Sequence, residues 1–366
     1  MLHTCVLYGK SFEKLTLNEI LNTSLRLRPG DYVRVKSPKE ILDTLDELGS
    51  FERLPFMPEM LDLCGKVYPV ISRADKTCDT ATRTGGRQLT NTVHLAGQRC
   101  SGSNHGGCQA ACLLFWKEVW LEVLPSADHV RDSIAYPHGE LEAAAMSLSA
   151  HTSSFGNPSA GESPVYSCQA TRLPEFTEPL SPWDMRQYWR DFNSNRVGIG
   201  RLFKVAFYSM YTKIIATGFA YRIWVGLFDA IQRLRKRPPW PYRSGALDTT
   251  PTEHLNLAVG ELVRVKAFDE ILKTLNKNNK NRGLFFDAEM VRFCGKTYRV
   301  QGRVDKIINE ETGQMMNFGN PCIILEDVWC SSDWSPCRRL CPRAIYHYWR
   351  EIWLERVPEN MAAKIP

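Results

Sequence analysis

The sequence predicts an α+β protein, rich in β-structure, in which one module occurs twice on either side of a helical insert. Three observations predict it. The stretch "DYVRVKSPKEILDTL" at 31–45 returns as "ELVRVKAFDEILKTL" at 261–275, an offset of 230 residues. Within each copy Val alternates with Arg or Lys, the two-residue period of a half-buried strand. Between the copies, residues 200–235 carry apolar and aromatic side chains at helical spacing.

The repeat continues without a gap: Leu54, Phe56, Glu59, Met60, Cys64 and Tyr68 return as Leu284, Phe286, Glu289, Met290, Cys294 and Tyr298. Cys100 falls on Cys330 at the same offset. After a three-residue insertion "CQAACLLFWKEVWLE" aligns with "CPRAIYHYWREIWLE", so Cys108 matches Cys341 and Trp116 matches Trp349.

Each copy opens on a Gly-Asp or Gly-Glu turn and a strand. Two helical turns follow, since "EILDTL" places Ile41, Leu42 and Leu45 on one face. A strand entered through "CGK" leads to a hairpin, at Gly85 and Gly86 in the first copy and at Gly313 in the second. Such a hairpin sets residues 78 and 92 opposite one another across its strands. The closing "EVWLEVL" and "EIWLERV" alternate again. The expected domains are a first module at 1–124, a flexible linker rich in Ser, Ala, Gly and Pro at 125–165, a helical insert at 166–243 and a second module at 244–366. In the insert Ser181 is placed to cap a helix starting at Pro182.

Strands opened by "PGDYVRV", continued by "CGKVYPV" and closed by "WLEVL" resemble the SH3-like β-barrel of the nitrile hydratase β subunit. The resemblance implies two SH3-like barrel modules. It implies no active site, because the metal ligands of that family lie in its other subunit. The whole chain, including "YSCQAT" and "WDMRQYWRDF", also resembles a family of uncharacterised bacterial proteins.

A hydrophobic content of 43% with 10 Trp, 13 Tyr and 16 Phe is that of a folded chain, not a disordered one. The start lacks the basic region and apolar run of a secretory signal, so a cytoplasmic location is expected, where thiols stay reduced. Twelve cysteines then point to metal binding, burial or reactivity rather than disulfides. The candidate metal ligands are Cys78, Cys100, Cys108 and Cys112 with His105 as an alternate, and Cys322, Cys330, Cys337 and Cys341 with His347 as an alternate. Four such ligands suit tetrahedral zinc, and an iron–sulfur cluster accepts the same thiolates. The competing reading is that these are small buried hydrophobes. Cys64, Cys294 and Cys168 read as packing, and Glu59 with Glu289 as a recurring cap or ion pair.

The chain contains no phosphate-binding Gly-rich loop, no dinucleotide fingerprint, no His-Glu-x-x-His and no Gly-x-Ser-x-Gly elbow. Its charge is local. Residues 196–243 hold ten Lys and Arg against Asp229, a net +9 that leaves −3 for the remainder of a chain of net +6. Charges interrupt the apolar pattern too often for a bilayer span, so this helix is expected to pack against the modules. The alternative is a peripheral membrane contact through 201–237. Nucleic acid is not an expected partner, because the modules themselves carry no basic surplus. The leading expectation is a non-catalytic zinc-binding interaction or accessory protein with a protein partner, associated with a biosynthetic enzyme. A metal- or thiol-dependent enzyme with its site between the modules is the other.

Overall fold

The computed structural model describes residues 27–82, 85–125, 133–154, 163–181, 183–193, 197–214, 219–334 and 340–357. It is a mixed α+β structure with antiparallel sheets. In the first sheet the strands are β1 (Tyr32–Val35), β2 (Val67–Arg73), β3 (Thr92–Leu95), β4 (Trp116–Lys117) and β5 (Leu121–Leu124), in the order β4-β3-β2-β1-β5. The second has β6 (Leu262–Val265), β7 (Thr297–Ile308), β8 (Met315–Leu325) and β9 (Leu354–Arg356), in the order β8-β7-β6-β9.

The alternation in sequence has its direct consequence here. Val33 and Val35 are buried while Tyr32 and Arg34 face outward, and Val263 and Val265 are buried likewise. Val33 pairs with Tyr68 and Val263 with Tyr298, and the bulge between Val70 and Ser72 returns between Val300 and Gly302. Equivalent aromatic side chains fill the cores. Phe56 meets Trp116 and Trp120 edge-on, as Phe286 meets Trp349 and Trp353. Each closing indole is satisfied as it is buried, Trp120 Nε1 donating to Thr44 Oγ1 at 3.1 Å and Trp353 Nε1 to Thr274 Oγ1 at 2.9 Å. The helix after β1 starts in a capping box: Ser37 Oγ accepts from the Glu40 amide and Glu40 Oε2 from the Ser37 amide. Ala267 keeps only the second half of that exchange, through Glu270.

The hairpins differ. β7 and β8 run 12 and 11 residues around a turn containing Gly313. In the first copy β2 stops at Arg73, whose guanidinium grips Asp75 and Glu118, and a separate strand Lys76–Cys78 pairs with Gly86–Gln88. The insert strand Glu178–Leu180 takes the other edge of Gly86–Gln88. Cys78 therefore lies opposite Gly86, while the Thr92 carbonyl accepts from the Ala74 amide. In the second copy Cys322 pairs with Val304 and Ile308 with Met315. Residues 78 and 92 are thus not opposite one another, contrary to the sequence expectation. The strand break after Arg73 and a second bulge between Val304 and Lys306 shift the register.

Within the stretch expected as linker, α1 (His138–Ser149) buries Ala144 and Leu148 in the first core. Helix α2 (Met185–Asn193) starts three residues beyond the expected Pro182, with Asp184 Oδ1 accepting from the Arg186 amide. Where one helix was expected through 200–235, two are described, α3 (Ile199–Ile214) and α4 (Phe219–Leu234). Their burial is one-sided. Val205 packs with Val197 and Leu340, and Trp224 and Phe228 pack on Trp240, but Ile199, Phe203, Ile223, Leu227 and Leu234 are exposed. Both helices thus pack on the protein, while among the described residues a second, apolar side stays exposed. Among the described residues no helix is long and apolar enough to cross a membrane.

The two copies touch through equivalent positions. Arg99 donates to the carbonyls of Ala111 and Ala344, both at 2.9 Å, and these alanines are counterparts with φ of 48° and 43°. Its guanidinium lies over Tyr346, 4.0 Å from the ring centroid, and near Trp329, its own counterpart. Thr80 bonds Glu310, also its counterpart. Cys108 Sγ accepts from the Ile308 amide at 3.3 Å, and Cys341 Sγ from the Cys78 amide at 3.1 Å. Both exchanges use the same two alignment positions in opposite directions, the reciprocity of an isologous contact within one chain.

Candidate metal centre

The loop after Cys100 is held at its mouth by the Cys100 amide donating to the Cys112 carbonyl at 2.8 Å. Inside it, the Gly102 carbonyl accepts from the amides of His105 and Gly107 at 3.2 and 2.9 Å. Gly102 and Gly106 both have φ of +72°, and a Cβ would strike the Cys108 backbone at the first and the Tyr166 ring at the second. Only glycine fits both the dihedral and the space. The tight loop turns His105 inward, to 1% exposure, against Glu59 on the buried 3₁₀ turn Pro58–Leu63.

Glu59, Cys100 and His105 converge, their ligand atoms all within 4.8 Å of one another. Cys100 Sγ is 3.2 Å from Glu59 Oε1 and 3.2 Å from His105 Nε2. His105 Nδ1 lies 3.9 Å from Glu59 Oε1 and has no hydrogen-bond partner among the described residues. Zinc bonds of about 2.0–2.3 Å in a tetrahedron separate ligand atoms by roughly 3.3–3.8 Å, so the two 3.2 Å separations at Cys100 Sγ, which are hydrogen-bond contacts, lie just inside a tetrahedral edge. Asn104 Nδ2 approaches the other Glu59 oxygen at 3.4 Å, holding the carboxylate from behind. Burial lowers the His105 pKa despite the opposing pull of Glu59, which favours the neutral imidazole that ligates. Burial, and then the Glu59 charge, push the Cys100 thiol well above its ordinary range. A divalent cation reverses that balance, since a coordinating thiol is deprotonated outright.

A small cavity adjoins the group, lined by Cys100, His105, Cys108, Cys112, Cys168 and Arg343 among others, with room for about 30 Å³ of solvent. The sulfurs of Cys108 and Cys112 are not part of the converging group. Cys108 is engaged by the Ile308 amide, and burial pushes Cys112 up to about 12. Cys78 and Cys341 meet at the contact between the copies. Burial raises the Cys341 thiol, but the Cys78 thiol, the amides of Arg343 and Cys78 and the Arg343 charge outweigh it and hold Cys341 below the ordinary thiol range. The fully buried Arg343 is itself bound by Glu310 at 3.0 Å.

In the second copy Cys330 Sγ lies 3.5 Å from Ser332 Oγ, and Cys322 accepts from Arg350 at 3.5 Å. His347 packs on the Phe293 ring. Glu289, the counterpart of Glu59, accepts from Ser331 Oγ at 2.7 Å and from the Trp334 amide. Cys337 lies outside the described residues, and among those described no three ligand atoms converge in the second copy. Cys64 and Cys294 are thiols pushed up to about 12 by burial, and burial also raises Cys168. Glu59 is the participant that sequence reasoning missed. Its recurrence was visible, but nothing local tied it to a loop forty residues on.

The fold and the site together define an α+β protein with a candidate three-ligand metal centre beside the contact between the two sequence repeats. Compared with known proteins, the chain matches no family model, no curated protein and no solved structure.

Proposed function

We propose that this protein is a non-catalytic, zinc-binding interaction protein of two SH3-like barrels, in which the metal fixes the Cys100–Cys112 segment that joins the copies. The observation that carries the reading is the convergence of three ligand atoms, from buried Glu59 and His105 and half-buried Cys100, with Cys100 Sγ 3.2 Å from each of the other two side chains. A mixed oxygen, nitrogen and sulfur set supports zinc over an iron–sulfur cluster, which draws on thiolates. Three protein ligands leave a fourth position for water, the arrangement that catalytic zinc uses. The cavity size argues against catalysis. About 30 Å³ admits a water molecule, whereas small-molecule sites occupy roughly 300–1,000 Å³.

The metal acts as a tie. Cys100 and Cys112 close one loop, Arg99 beside Cys100 binds both copies, and Cys108 at the other end of the loop accepts from Ile308. Fixing that segment fixes the surface that the paired modules offer to a protein partner of a biosynthetic assembly. The test is metal content by mass spectrometry on protein purified anaerobically without a metal-affinity tag. One zinc per chain, absent from a Cys100→Ser variant, supports the reading. No metal in the wild type removes it.

A further inference from the structure

We propose that the outer faces of α3 and α4 form a docking surface for an anionic lipid bilayer, on which the protein lies without crossing it. The inference is independent of the metal centre and rests on where apolar and basic side chains are exposed.

In α4, Ile223, Leu227 and Ile231 recur every fourth residue and Leu234 follows, so they share one side of a 16-residue helix about 24 Å long. All four are exposed, Leu227 at 60% and Leu234 at 86%. The adjoining side is spent on the protein, where Trp224 and Phe228 pack on Trp240. In α3, Ile199 and Phe203 repeat the pattern, Phe203 at 70% exposure, while Val205 is buried and Lys204 and Arg201 pair with Asp333. A soluble helix turns its second face polar. Among the described residues of these two helices the exposed side is apolar instead.

Charge selects the occupant. The last turn of α4 and the residues after it carry Arg233, Arg235, Lys236 and Arg237, all exposed, at the C-terminal end of the stripe, where three of them also line a groove with Asp229 and Asp269. An apolar face followed by a basic cluster is the pairing by which interfacial helices bind anionic headgroups while sinking their aliphatic side chains to the acyl boundary. A second copy of this chain is disfavoured, since a two-fold contact joins two identical surfaces, and the exposed stripe carries no acidic side chain to meet the basic cluster of its partner. Nucleic acid would want successive aromatic platforms for bases, and the α4 stripe that leads into the basic cluster is aliphatic.

The experiment is flotation of the full chain with vesicles of phosphatidylcholine alone and of equal parts phosphatidylcholine and phosphatidylserine. The wild type is expected to float with the anionic vesicles and to stay behind with the neutral ones. An Ile223→Ser, Leu227→Ser, Ile231→Ser variant should lose binding. A variant with Arg233, Arg235, Lys236 and Arg237 all changed to Glu should lose it as well, with about a fivefold loss for each basic charge removed. All substituted side chains are exposed, so thermal melting and metal content should stay at wild-type values. Failure of the wild type to float overturns the proposal, as does retained binding by the serine variant. A concentration-dependent dimer that the serine variant abolishes would assign the face to a second copy instead, and equally overturns it.

Discussion

Replacing Glu59 by Gln removes one negative ligand while keeping the side chain's shape, so it separates coordination from packing. Structural zinc sites bind with about 10–16 kcal/mol at neutral pH, and dividing this over four ligands gives roughly 2.5–4 kcal/mol for each. At about 1.4 kcal/mol per tenfold, Glu59→Gln should weaken zinc binding on the order of 10²–10³-fold. Cys100→Ser and His105→Gln should do the same, since all three atoms belong to the converging group. Competition against a chromophoric zinc chelator measures the constants, and circular dichroism of each variant checks that the fold is intact. Cys78→Ser and Cys322→Ser are the controls, because the structure engages these residues elsewhere, at Cys341 and Arg350. Wild-type affinity in Glu59→Gln, combined with loss in either control, refutes the reasoning and restores a site of four sulfurs.

Three further outcomes are expected. Arg99→Met should cost about 2–4 kcal/mol in urea denaturation, since it strips the donors from two carbonyls at the contact between the copies; a change under about 0.5 kcal/mol would mean that the contact does not form. Gly102→Ala should abolish zinc binding in the same competition assay without touching a ligand, because the new Cβ meets the Cys108 backbone; an unchanged affinity would contradict the loop geometry. Burial raises the folded pKa of Glu289, so between the ordinary glutamate value of about 4.3 and that raised value the folded protein holds the extra proton and stability falls as pH rises. Melting of Glu289→Gln relative to wild type should therefore improve from about pH 4 to pH 7, and a difference that stays flat would show that Glu289 is not desolvated as described.

The strands were legible because their signal is local. Val33 and Val35 alternate with Arg34, and the same two-residue period at Val263 and Val265 marks the second copy in the same way. The hairpin registers were not legible, because the strand break after Arg73 in the first copy and the bulge between Val304 and Lys306 in the second shift the ladder without changing composition. The cysteine loop announced a site, and Cys100 with His105 belongs to the group that converges. The third member, Glu59, is brought in by tertiary packing of the Pro58–Leu63 turn, and spacing along the chain carries no record of that. Cys78 and Cys341 were candidates of separate sites, yet they meet each other, because the copies exchange contacts rather than stand apart. In α3 and α4 periodicity identified helices but not their orientation. With apolar residues on both faces, sequence alone does not say which face meets protein.

The most direct test of the central claim is zinc K-edge absorption fine structure on the metal-loaded full chain. The expected spectrum shows one sulfur at about 2.3 Å with nitrogen and oxygen neighbours at about 2.0–2.2 Å, the signature of Cys100 with His105, Glu59 and a water. A shell of three or four sulfurs would contradict it and hand the metal to the cysteines that the structure keeps apart.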